Sequence, residues 1–210
     1  MNREGVGLAD AQEAPELKKL WRLSFPEDTE EGVAFFFQRV FQPLNCVVFR
    51  QEGRPVSMAF LLPAVLHTPE GPAALHYLYA AATRPDRRGR GLFARVLCET
   101  FRVGRERGVE ASCLLPAEQG LAAYYARFGY RPFFRTVIEV KEGKKRGSGL
   151  FFSTDAGEYA LRRNRYLSHR EWWVEWPPHL LAYAVDAAVK NGGGVWLSSK
   201  GVALCEPGDS

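Results

Sequence analysis

Leu78-Tyr79-Ala80-Ala81-Ala82-Thr83-Arg84-Pro85-Asp86-Arg87-Arg88-Gly89-Arg90-Gly91-Leu92-Phe93 is the stretch whose reading decides the fold. A strand of small residues feeds a loop rich in glycine and arginine. A helical pattern opens directly after it, with Phe93, Val96, Leu97 and Phe101 at helical spacing and Gly104 or Gly108 able to end it. The layout predicts a phosphate cradle. Backbone N–H groups in the first turn of a helix have no intrahelical partner and lie at the positive end of its dipole, so they attract an anion. Gly89 and Gly91 let the main chain come close, and Arg87, Arg88 and Arg90 add charge-assisted donors. Alone, such a loop also fits a solvated turn with a basic face; the apolar strand before it and the helix after it make it a strand-to-helix connection.

Bulk properties set the frame around this loop. At 210 residues and 46% hydrophobic composition, the chain can build one well-cored domain and a smaller piece. No run approaches the roughly 18 apolar residues of a membrane span, and Met1 to Gly5 lacks the apolar core of a signal peptide. The expectation is a cytoplasmic protein with no membrane partner. A net charge of +4 suits an anionic ligand and, without a basic stripe interleaved with aromatics, does not argue for nucleic acid. Cys46, Cys98 and Cys113 sit among apolar neighbours, and with Cys205 they show no Cys-x-x-Cys spacing, so free and mostly buried thiols are expected. His67, His76, His169 and His179 form no ligand cluster, and no metal site is expected.

Upstream of the loop, Ala11 to Phe25 patterns as an amphipathic helix stopped by Pro26, and Glu31 to Phe41 as a second one ended by Pro43. Cys46 to Phe49 and Val56 to Leu62 read as a hairpin around a glycine turn, and Val65 to His67 with Leu75 to Thr83 as a further strand pair. Downstream, Ala111 to Leu115 reads as a short buried strand, Glu118 to Arg127 as a helix, and Tyr130 to Val140 as another strand. This order implies an α/β protein with a mixed sheet and helices on its faces.

Two motifs now fall on the elements just placed. Arg88-Gly89-Arg90-Gly91-Leu92-Phe93 resembles the coenzyme A pyrophosphate loop of the GCN5-related N-acetyltransferases, usually Gln/Arg-x-x-Gly-x-Gly/Ala, with Phe93 as the departure. Ala122-Ala123-Tyr124-Tyr125-Ala126-Arg127-Phe128-Gly129-Tyr130 resembles the family's Tyr-x-x-x-Gly-Phe/Tyr segment, and Gly129 also suits a helix C-cap. The resemblance covers about Leu8 to Val140 and implies the family's acyl-CoA N-acyltransferase fold over residues 1–142.

Lys141 to Gly149 is charged, glycine-rich and without periodicity, so a linker is placed at 143–149. Residues 150–210 then read as a smaller α/β lobe: a basic helix over Glu158 to Leu167, an aromatic stretch over Trp172 to Trp176, a helix from about His179 to Val189 started by Pro177-Pro178, and a hairpin of Val195 to Leu197 with Val202 to Cys205. The order echoes the first domain and suggests a partial second acetyltransferase-like lobe without a phosphate loop, either truncated or completed by packing on the first domain. Trp172, Trp173 and Trp176 fit a packing core or an acceptor wall. Arg162, Arg163 and Arg165 read as a solvated face, and exposed strand edges would allow a homodimer.

The resemblance implies an acetyl-CoA-dependent N-acetyltransferase acting on a small-molecule or peptide amine by direct transfer in a ternary complex. Ala81, Ala82 and Thr83 would pair with the pantetheine arm, the amide of Ala82 or Thr83 polarising the thioester carbonyl. Gly89 to Ala94, including Arg90, Gly91, Leu92 and Phe93, would hold the pyrophosphate, with Arg88 and Arg90 supplying charge. Tyr125 matches the family's general acid, with Tyr124 beside it as the other candidate; a phenol is still protonated at neutral pH. Glu118 could reach the cleft as a base or simply cap its helix, and Glu99 and Glu110 read as exposed. A non-catalytic acyl-CoA-binding or sensing module uses the same cradle. A mononucleotide site fits less well, since the loop lacks both the Gly-Lys-Ser/Thr ending and the full Gly-x-Gly-x-x-Gly pattern.

Overall fold

The computed structural model describes residues 4–118, 120–134, 150–199 and 201–207; the linker placed at 143–149 lies outside them. Near the N-terminus, Asp10 and Glu13 form a capping box on a short 3-10 turn that leads into α1 (Ala14–Ser24). Thr29 caps α2 (Glu30–Arg39) by accepting from the Gly32 amide. Both helices turn an apolar stripe inward: Leu17, Leu20 and Trp21 from one, Val33, Phe36 and Phe37 from the other.

They cover one face of a six-stranded sheet ordered β1 (Gly5–Leu8), β2 (Cys46–Gln51), β3 (Arg54–Thr68), β4 (Gly71–Thr83) and β5 (Ala111–Cys113), with β7 (Trp173–Glu175) beside β3. Side chains alternate strictly. Cys46, Val48, Met58 and Phe60 join the core under α1 and α2, while Val47, Phe49, Ala59 and Leu61 join the core under α3 (Leu92–Glu106). A smaller sheet of β6 (Phe151–Ser153), β8 (Gly194–Ser198) and β9 (Gly201–Cys205) has its own apolar cluster of Val185, Val195 and Leu197. The remaining helices are α4 (Gly120–Ala126), α5 (Ala156–Leu167) and α6 (Pro178–Lys190). Together these elements form the mixed α/β architecture expected of the acyltransferase fold.

Several details differ from the sequence reading. β1 was not expected; it pairs antiparallel with β2 from Gly5 opposite Arg50 to Leu8 opposite Val47. The strands expected at Val56 to Leu62 and Val65 to His67 are one strand. Pro63 is exposed within it and lies in the interval where β2 has ended (Cys46 opposite Phe60) and β7 has not begun (Val65 opposite Glu175), so that edge has no neighbour for it to disrupt. Residues 130–134 of the strand expected over Tyr130 to Val140 have no regular secondary structure, and the rest lies outside the described residues.

Only Cys46 is buried; Cys98 is exposed on the outer side of α3. Arg162 and Arg163 are half-buried rather than solvated: Arg162 donates to the Ser198 carbonyl at 3.0 Å and Arg163 to the Val174 carbonyl at 3.1 Å. The tryptophans do not cluster. Trp173 stacks on His67 at 4.1 Å, Trp176 meets Tyr77 edge-on at 5.5 Å, and Trp172 meets Phe133 at 5.1 Å.

Candidate functional site

β4 is the strand on which the site is built. On one edge it pairs with β3 as far as Thr83 opposite Ser57, but on the other it meets β5 only from Leu75 opposite Ala111 to Tyr77 opposite Cys113. Beyond Tyr77 the two parallel strands part, and the edge from Leu78 to Thr83 has no strand partner among the described residues. A bulge accompanies the parting. Met58 pairs with Ala82 and Phe60 with Tyr79, so β4 carries one more residue than β3 across this interval, and Ala80 adopts φ 45°. A non-glycine residue in the left-handed region stores backbone strain, and bulges of this kind re-aim the strand that carries them.

The residues expected to meet the pantetheine arm follow directly. Ala81 is half-buried, and Ala82 is buried with its carbonyl accepting from the Ser57 hydroxyl at 2.9 Å. The Thr83 hydroxyl lies 2.8 Å from that of Ser57, and the Arg88 Nε donates to the Thr83 carbonyl at 3.1 Å. This ties the end of the strand to the start of the loop.

The loop then presents its amides. Gly89 and Gly91 have φ of 76° and 70°, a conformation that glycine adopts without a Cβ clash, and open space surrounds both. Gly91 is the N-cap of α3 and offers no side-chain acceptor; the first helical amide with a partner is that of Arg95, to the Gly91 carbonyl. The N–H groups of Gly89, Arg90, Gly91, Leu92, Phe93 and Ala94 have no hydrogen-bond partner among the described residues. Such a run of free donors at the positive end of a 15-residue helix fits a diphosphate. Arg88 and Arg90 are exposed beside it, whereas Arg84 and Arg87 are drawn to Asp86, at 3.1 and 3.4 Å.

Phe93 does not obstruct this cradle. Its ring turns away from the loop and packs 6.2 Å from Tyr124 and 6.3 Å edge-on from Tyr125, both on α4. Tyr125 is 8% exposed, and burial, with the neighbouring Tyr130, Tyr124 and Tyr77 phenols, pushes its pKa up to about 12. Its ring packs against Phe93, Tyr124 and Tyr130, and Tyr77 stands on β4 where the strands part. Tyr124 is less enclosed, with the Arg127 guanidinium and the exposed Cys98 of α3 near it. Tyr130, which follows the Gly129 turn (φ 91°), is fixed by a 2.6 Å hydrogen bond with Ser112 of β5.

Glu118 is exposed, and Glu99, expected to be exposed, is largely covered and hydrogen-bonded to Arg102, which lowers its pKa. Among the described residues no group of His, Cys, Asp and Glu could hold a metal ion, and no helix is long and apolar enough to cross a membrane. Sequence reasoning missed Ala80, Tyr77 and Ser57. The three alanines in a row were the one available signal for a bulge that needs small side chains.

The comparisons agree with this geometry. A family profile described as an acetyltransferase (GNAT) domain matches residues 6–133. Among solved structures, a protein from Pyrococcus horikoshii provisionally named an acetyltransferase superposes with a TM-score of 0.68 at 16% identity, over 97% of this chain and 68% of its own. An Enterococcus faecalis protein of unknown function, provisionally named an N-acyltransferase, gives 0.69 at 17% identity over 97% of this chain and 55% of its own. One from Agrobacterium tumefaciens, also provisionally named an acetyltransferase, gives 0.52 at 23% identity over 65% of this chain and 99% of its own. No curated protein matches the chain. With the profile spanning more than half of its length and the fold shared, the chain belongs to the GCN5-related N-acetyltransferase family.

Proposed function

We propose that the protein transfers an acetyl group from acetyl-CoA to a primary amine by direct attack in a ternary complex. The observation that carries this reading is the β4 edge without a strand partner, Leu78 to Thr83, leading into the unpaired amides of Gly89 to Ala94, with Tyr125 buried beside Phe93 at the start of α3. The residues fit the coenzyme. The β4 edge offers main-chain groups to an amide-bearing arm, the loop offers amides and the Arg88 and Arg90 guanidinium groups to a diphosphate, and Phe93 keeps its N–H while its ring is used elsewhere.

Acetyl-CoA, when bound, supplies the acetyl thioester. The protein holds the thioester carbonyl against an amide of the Ala82–Thr83 segment and brings the amine to it. With the thioester bound, the amine lone pair would form the C–N bond as the C–S bond breaks; the nitrogen would give its extra proton to water, the Tyr125 hydroxyl would protonate the sulfur, and Tyr125 would regain its proton from water. A phenol whose pKa is raised to about 12 stays protonated throughout the neutral range, which is the state an acid needs. We assign the chain as a catalytic domain over 1–142, a linker over 143–149 and a second lobe over 150–210, supported by the separate small sheet and its own apolar cluster.

Calorimetric titration of acetyl-CoA into the protein, with ATP and NAD as controls, tests the cradle. Selective binding in the micromolar range, on the order of 8 kcal/mol, is expected. Tyr125→Phe should then lower kcat by about 100-fold or more with little change in coenzyme affinity. Coenzyme binding without turnover in the unaltered protein would instead mark a binding or sensing module.

A further inference from the structure

The outer edge of β1, separated from β4 by β2 and β3, carries an arrangement that acyl transfer does not use. Among the described residues β1 pairs with β2 alone, so its other edge has no neighbour. The Ala9 amide donates to the Cys46 carbonyl at 2.8 Å. By the alternation of an antiparallel ladder, Gly7 and Gly5 then bond to β2, and the main-chain groups of Val6 and Leu8 point to the free edge. The Arg50 guanidinium, beside Gly7, takes the Leu8 carbonyl at 2.8 Å. That leaves the N–H and C=O of Val6 and the N–H of Leu8 for a further strand. Gly5-Val6-Gly7-Leu8 also lacks the charge, proline or bulge by which natural sheets protect an edge.

An open groove of about 420 Å³ lies between this edge and the outer side of α3. Val6, which is exposed, and Phe49, opposite it in the ladder, give it an apolar floor. The helix wall is cationic. Arg95 lies over the Phe49 ring at 5.5 Å, and neither Arg95 nor Arg105 forms an ion pair among the described residues. Arg102, between them, is held by Glu99 and Glu106, so the Glu99 carboxylate that lines the groove is already taken. Arg95 and Arg105 are about 15 Å apart along α3. An extended chain spans nearly the same distance, about 13 Å, between its first and fifth residues, whose side chains fall on one face. Charge decides the occupant. A second copy pairing β1 with β1 would set two arginine stripes against each other, and the flank of its β1 would bring Glu4, whose carboxylate already accepts from the Gly53 amide at 3.0 Å.

We propose that the groove between β1 and α3 docks an extended acidic peptide segment of a partner protein. The segment adds to the sheet as a strand beside β1, sets an apolar side chain on Val6 and Phe49, and lays carboxylates four residues apart against Arg95 and Arg105.

The test is fluorescence polarisation with the pentapeptide Glu-Thr-Val-Thr-Glu, its ends blocked and a neutral fluorophore attached, with and without acetyl-CoA. A Kd of about 10–100 μM is expected at low salt, weakening at least about fivefold between about 0.05 and 0.5 M salt. Lys-Thr-Val-Thr-Lys should bind at least about tenfold more weakly. A strand joins an edge through one set of its amides, so of two versions N-methylated at alternate residues one should lose binding and the other keep it. Arg105→Glu, at the far end of α3 from the cradle, should weaken the acidic peptide at least about fivefold, with circular dichroism reporting that the variant is folded. Bound peptide should also slow alkylation of Cys98, which is exposed and lines the groove. No binding, equal binding of the lysine peptide or of both N-methylated versions, indifference to Arg105→Glu, or displacement by acetyl-CoA would each overturn the assignment. So would a dimer in sedimentation that the peptide dissociates, since the groove would then belong to a second copy. The acetyltransferase reading stands apart from all of these outcomes.

Discussion

At position 93 the family's usual glycine or alanine is a phenylalanine, and the structure shows why this is tolerated. A pyrophosphate loop needs the N–H of that residue and not its side chain, so the ring is free to pack under Tyr124 and Tyr125. Another single-residue feature sets a stability limit. His76 is 4% exposed on β4, its Nε2 has no partner, and it fits only because Gly104 of α3 leaves room: a Cβ there would lie 3.1 Å from the imidazole Cε1. Burial, then the nearby Arg107 charge, lowers its pKa from 6.5 to about 4. Between those values the unfolded chain takes up a proton that the folded protein refuses, so stability falls as pH drops through that window and is level above it. Urea denaturation should show a loss of up to about 3 kcal/mol between about pH 7 and pH 4. Most of it should precede the titration of carboxylates such as Glu99, whose pKa is held below its usual 4.5 by Arg102. Equal stability at about pH 7 and pH 5 would show that His76 is not sealed in this way.

Among the elements, β4 is the one under strain. Ala80→Gly would relieve φ 45° at the bulge, a gain partly offset by the greater freedom of glycine in the unfolded chain. The expected net stabilisation is up to about 1 kcal/mol, visible as a higher Tm, whereas Ala80→Val should destabilise by more than about 1 kcal/mol. The elements that sequence revealed were those with a periodic signature. The helix from Leu92, the tyrosine-bearing helix before Gly129 and the hairpin around Gly53 could all be read from spacing. β1 could not, because Gly5-Val6-Gly7-Leu8 offers two apolar residues and becomes a strand only through its pairing with β2. Cys98 was misjudged for a similar reason. Apolar neighbours in sequence do not set exposure on a helix; angular position does, and α3 buries Val96, Leu97 and Thr100 while turning Cys98 outward. Of the candidate site, the loop and the two tyrosines were legible, but the parting of β4 from β5 beyond Tyr77 and the bulge at Ala80 depend on strand register, which spacing along one segment does not reveal.

The molecule as a whole is held together by elements far apart in sequence. β7 joins the main sheet beside β3, with His67 hydrogen-bonded to Glu175 at 2.7 Å, and Leu180 of α6 is buried in the same apolar cluster as Trp21 and Phe36. Leu180→Ala should therefore cost about 2–4 kcal/mol. Loss of tryptophan fluorescence and of helical circular dichroism should coincide in a single urea transition for both proteins; two separated transitions would show that the C-terminal elements unfold independently. The pairing of His67 with Glu175 spans 108 residues. At a synthesis rate of about 5–20 residues per second, the nascent chain waits roughly 5–20 s between making the inner half of that pair and making the outer half. During that interval the far end of β3 is an unclaimed sheet edge on the ribosome, and cells producing this protein quickly should depend on chaperone holding to keep neighbouring nascent chains from claiming it first.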